Sequence, residues 1–174
     1  MTHFCIIMNQ ITIVFVDRNP LVRKAWDFIM RQDARFKMLA TCENGESAIE
    51  LSKILNPDIL IADTNLPGMS WVETTRMITK NFPETKVIGL SYHVEEETAH
   101  RIILSGAMGC LSKMSYPDEI FKAIVQVYKG ETYICKDMRT NRPASEPVER
   151  ISAAFLKEKK VITMNKPRLL ELAQ

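Results

Sequence analysis

Short apolar runs alternate with amphipathic stretches from residue 11 to residue 130, and no other feature restricts the fold of this chain so strongly. Ile11-Thr-Ile-Val-Phe-Val16 is β-branched and nearly continuous, the pattern of a strand buried on both faces. Pro57-Asp-Ile-Leu-Ile-Ala-Asp63 and Lys86-Val-Ile-Gly-Leu-Ser91 repeat it. Gly106-Ala-Met-Gly-Cys-Leu-Ser112 is a shorter version and Phe36 to Cys42 a weaker one. Helical patterns separate the runs. Pro20 opens the first, through Met30, with Leu21, Ala25, Trp26, Phe28 and Ile29 on its apolar side. Asn44 to Leu55, Ser70 to Phe82 and a polar stretch from about Glu95 to Ser105 follow. Pro117 to Tyr128 is the last; Asp118 and Glu119 suit its first turn and Gly130 its stop.

Five strands alternating with five helices imply βαβ units. The expected fold is α/β: a doubly wound, five-stranded parallel sheet, helices on both faces, joined by right-handed crossovers. Ligands and chemistry collect at the carboxyl ends of the strands in such a sheet. Asp17 follows the first strand, Asp63 ends the third, Ser91 the fourth, and Lys113 follows the fifth. Two carboxylates, a hydroxyl and an ammonium are thus expected to meet on one edge.

Composition excludes several classes. With 174 residues, 46% apolar and 25% charged, the chain reads as one domain plus an appendage rather than a disordered polymer. Its formal charge of +2 is too small for a dedicated polyanion binder. Residues 1–135 hold 14 basic against 16 acidic side chains, and residues 136–174 hold 9 against 5, so a mildly acidic body precedes a basic tail. Cys5, Cys42, Cys110 and Cys135 form no CxxC pair and lie near no histidine at metal-ligand spacing. Isolated thiols, no signal peptide and no apolar run of the ~20 residues a membrane span needs point to the cytoplasm. Met8 suits a natural start, and no nucleophile–base triad, phosphate loop or nucleotide fingerprint marks a conventional enzyme.

Val16-Asp-Arg-Asn-Pro-Leu-Val-Arg23, the segment from Pro57 through Asp63 to Pro67-Gly-Met69, Leu90-Ser-Tyr-His93 and Leu111-Ser-Lys113 carry a specific resemblance. Over residues 9–135 the chain resembles the receiver domain of two-component response regulators, in the LuxR/NarL-type branch, for which the sheet order is 2-1-3-4-5. Gly130-Glu-Thr-Tyr133 resembles the segment that closes that branch's last helix. The resemblance implies that Asp63 accepts a phosphoryl group from a sensor histidine kinase and that Lys113 pairs with it. It implies that Ser91 is the switch hydroxyl, and that Asp17, Asp63 and the backbone carbonyl of Asn65 hold Mg²⁺. His93 then sits where the family tunes dephosphorylation. Such chemistry is mostly positioning and charge neutralisation. The partners implied are the kinase and a second copy of the chain.

Two departures bear on this. The family carries two adjacent acids after its first strand, but here Arg18 follows Asp17, and a guanidinium in the pocket would repel Mg²⁺ while attracting Asp63. One alternative is therefore an interaction module that works without phosphorylation, with Arg18 in the metal's place. Cys110 stands where many receivers carry an aromatic that rotates inward, and it reads as a small core residue. Residues 136–174 lack a recognisable helix-turn-helix, although Val148 to Lys160 and the stretch from Pro167 have helical character. DNA binding would then fall to the basic tail and be salt-dependent.

Overall fold

The computed structural model describes residues 10–135. Six parallel strands form one sheet in the order β2-β1-β3-β4-β5-β6: β1 (Ile11–Val16), β2 (Phe36–Cys42), β3 (Ile59–Asp63), β4 (Lys86–Ser91), β5 (Gly109–Ser112) and β6 (Tyr133–Ile134). Five helices connect them: α1 (Pro20–Met30), α2 (Gly45–Leu55), α3 (Trp71–Asn81), α4 (Glu96–Leu104) and α5 (Pro117–Tyr128). The first five strands stand in the expected order. The sheet has one strand more than expected, because Tyr133 and Ile134 pair with Gly109 and Cys110 at its edge. Two residues are too few to show a period of two.

Ile13 to Val16 and Ile59 to Ala62 are all free of solvent, so helices cover both faces of the central strands. Each such buried aliphatic or aromatic side chain contributes about 1.5–3 kcal/mol. Trp26 of α1 stacks on Phe15, ring centroids 4.8 Å apart. Elsewhere α1 corrects the expectation: Leu21 is 71% and Phe28 66% exposed, so its apolar residues divide between core and surface. Gly45 lets α2 approach α3, since a methyl group there would overlap the Thr74 hydroxyl. Gly89 of β4 gives room to Trp71 and Ile102; a methyl group would stand 3.0 and 2.8 Å from them. Trp71, within the Ser70 to Phe82 helical pattern, is a buried residue of α3.

Two strands start later than their apolar runs. Pro57 lacks a donor and Asp58 turns its carboxylate to the backbone N–H and hydroxyl of Thr12, 2.8 and 2.6 Å away, so β3 begins at Ile59. Gly106 has φ +109°, which ends α4, and β5 begins only at Gly109. The segments Val148 to Lys160 and from Pro167, like Met8, lie outside the described residues.

Candidate functional site

Each acid of the pocket is set by the turn that follows its strand. After β1, the backbone N–H of Asn19 donates to Asp17 Oδ1 at 2.7 Å, while the Asn19 side chain caps α1 by accepting from Leu21 N at 2.9 Å. After β3, Asn65 N–H donates to Asp63 Oδ1 at 3.0 Å in the same manner. Both turns aim the second carboxylate oxygen at the carboxyl edge of the sheet. There Lys113, just beyond β5, donates from Nζ to Asp17 Oδ2 and Asp63 Oδ2, each at 2.7 Å. Asp17 is 0% exposed and Asp63 4%. Three strand ends thus meet at one ammonium.

Electrostatics explains the charge state of the lysine. Burial pulls the Lys113 ammonium down, but hydrogen bonds from it to Asp17 and Asp63, and their negative charges, outweigh that cost and hold its pKa above the ordinary lysine value. Two carboxylates against one ammonium leave the cluster with one net negative charge in a nearly dry pocket. Such a pocket attracts a further cation.

Ser91 reaches the same edge, but its hydroxyl is turned onto its own loop. It donates to the His93 carbonyl at 2.9 Å and accepts from His93 N–H at 3.3 Å. His93 is exposed on that loop. Asn65 is exposed beside Asp63. Cys110 is fully buried, and its thiol lies against Cys135; that contact, with burial, pushes its pKa far up and keeps it protonated.

Of the two places open to Arg18, pocket or solvent, it takes the second. Arg18 is exposed and makes no ion pair among the described residues. The Asp17–Asn19 turn points the acid inward and the residue between outward. Three contributors escaped sequence reasoning, although Arg23 and Tyr92 lie within the motifs that carry the resemblance. Arg23 donates from its guanidinium to the Asp17 carbonyl at 2.6 Å, one helical turn beyond Asn19. Tyr92, the residue after Ser91, places its ring centroid 4.9 Å from Lys113 Nζ. Glu46 of α2 accepts from Met69 N–H at 3.0 Å and holds the loop after β3. Nothing in spacing alone distinguishes these from surface residues.

A family model described as the response regulator receiver domain matches residues 13–125, well over half of the chain. The chain belongs to that family. Among curated relatives, the transcriptional regulatory protein DegU of Brevibacillus brevis is 35% identical over 126 residues, covering 72% of this chain and 53% of that protein. The response regulator UvrY of Escherichia coli strain K12 is 30% identical over 137 residues, covering 79% and 63%. A LuxR-family two-component response regulator from Aurantimonas sp. SI85-9A1 superposes with a TM-score of 0.67 at 26% identity, covering 71% of this chain and 89% of that one. These place the receiver in the LuxR/NarL-type branch. The chain spans between about half and two thirds of the length of DegU and UvrY.

Among the described residues no trio of His, Cys, Asp or Glu side chains is grouped for a metal. The pocket offers fewer: the two carboxylates on Lys113, with one net charge to neutralise. It fits a hard divalent ion that keeps several waters and takes one or two protein carboxylates. Arg18 is exposed and does not fill that place.

Proposed function

We propose that Asp63 accepts a phosphoryl group from the phosphohistidine of a sensor histidine kinase, making the protein a switch that controls transcription. In the step, an Asp63 carboxylate oxygen bonds to phosphorus as the phosphorus–nitrogen bond breaks, and the electron pair leaves with the imidazole. Lys113 follows the charge from the carboxylate to the phosphoryl oxygens. Ser91 exchanges the His93 carbonyl for a phosphoryl oxygen, and the movement of its loop changes the surface around α4 and β5. Asp17, Asp63 and the Asn65 carbonyl would hold Mg²⁺, which when bound supplies charge neutralisation. The carrying observation is the single ammonium 2.7 Å from both buried carboxylates.

The receiver, on this reading, covers residues 9–135, works in the cytoplasm, associates with a second copy, and passes the signal to the segment beyond. It is a signalling domain without substrate turnover. The reading in which Arg18 replaces the metal lacks its needed contact with Asp63. Incubation with phosphoramidate and Mg²⁺ tests the proposal: intact-mass measurement should show one added phosphoryl group, absent from Asp63→Asn. No addition at any Mg²⁺ concentration would reject it.

A further inference from the structure

Lys113 has three N–H donors and no acceptor. Asp17 and Asp63 occupy two directions around its ammonium, and the Tyr92 ring lies over it with the centroid 4.9 Å away. This is within cation–π range. The lysine side chain is only 6% exposed although Tyr92 is 53% exposed, so the ring stands between solvent and the ammonium on that side. A phosphoryl group arriving from solvent to be met by Lys113 must displace the ring.

The ring is also joined to the switch. Tyr92 follows Ser91, whose hydroxyl is closed on His93 by two hydrogen bonds across that same residue. When Ser91 leaves the His93 carbonyl, the backbone carrying Tyr92 moves with it. We infer that Tyr92 is the lid of the acceptor pocket: its ring caps the Lys113 ammonium in the resting state and slows phosphoryl entry and loss until the Ser91 loop moves. Tyr92 acts through Lys113 and is a positioning residue. Its kinetic consequence rests on the phosphoryl-accepting reading of Asp63, but the cap itself does not.

The full chain and its Tyr92→Phe, Tyr92→Leu and Tyr92→Ala variants separate these points, and the exposed position of Tyr92 lets all of them fold. The first readout is exchange of the Lys113 ammonium protons with water, followed by NMR without any phosphodonor. Loss of the aromatic face should speed exchange about three-fold or more in Tyr92→Leu and Tyr92→Ala, in line with a cation–π contact at a partly exposed site, and leave Tyr92→Phe unchanged. The second is the rate of Asp63 phosphorylation by phosphoramidate with Mg²⁺. Tyr92→Ala should react about three-fold faster than the native chain, with Tyr92→Phe equal to it. Equal proton exchange in all four proteins overturns the cap, and slower phosphorylation of Tyr92→Ala overturns the lid. If the native chain takes no phosphoryl group, the Asp63 reading falls, and the exchange data still decide the cap.

Discussion

Removing either sign of charge from the Asp17–Asp63–Lys113 cluster has opposite consequences. Without Lys113 two buried carboxylates face each other unpaired, and Lys113→Met should lose ~3 kcal/mol of stability. Asp63→Asn instead leaves Asp17 and Lys113 as a balanced pair and should gain about 1 kcal/mol in metal-free buffer. Urea denaturation of both variants checks the two signs; a loss in Asp63→Asn would contradict the charge count. The pH dependence follows from the raised Lys113 pKa. A group whose pKa is raised on folding stabilises the fold fully below its unfolded value and loses that contribution as pH rises toward the folded one. The gap between the native chain and Lys113→Met should therefore stay constant through neutral pH and close only above the ordinary lysine range. Arg18→Asp changes a nearby charge from +1 to −1 and should tighten Mg²⁺ binding on the order of ten-fold, measured by calorimetry. The sequence order already placed Asp17, Asp63 and Lys113 at strand ends, but not the direction of Arg18 or of the Ser91 hydroxyl. Those depend on two-residue turns that leave no periodic trace.

Elements, by contrast, were legible wherever burial imposed a period. The ranges of β1, α1, β4 and α5 coincide with their sequence patterns, since β-branched runs and Pro-started helices carry strong signals, and the weaker pattern of β2 gives its range as well. The beginnings of β3 and β5 did not, because Pro57, Asp58 and the left-handed Gly106 interrupt pairing inside apolar runs. A link between elements left no pattern either: Glu46 of α2 accepts from Met69 N–H, in the loop that carries Asn65. Gly68, with φ +72°, brings that loop against Glu46 and has no room for a methyl group, which would stand 2.8 Å from its carboxylate. Glu46→Ala should raise hydrogen exchange at Met69 about five-fold, the worth of one hydrogen bond, while Asn65, held by Asp63, keeps its rate. Equal exchange at Met69 in both proteins would show that the loop is held by other contacts.

At the scale of the whole domain, the site and the sheet are the same object. Asp17, Asp63 and Lys113 stand at the carboxyl ends of β1, β3 and β5, and β4 joins β3 to β5 by continuous pairing from Ile59–Lys86 to Ser91–Ser112. Loss of any one of these strands scatters the donors, so no partly unfolded form keeps the pocket. A cation bound there must then stabilise the receiver as a unit. Mg²⁺ at a hundred times its dissociation constant should add about 2.7 kcal/mol, raising the midpoint of the domain's thermal transition by several degrees without splitting it. A chelator should reverse the rise, and Asp17→Asn, which removes a donor, should abolish most of it. Calorimetric scans across a Mg²⁺ series measure both. A midpoint unchanged up to the highest Mg²⁺ concentration would mean that one uncompensated carboxylate charge is too little to hold the ion against water, leaving Lys113 as the pocket's working cation.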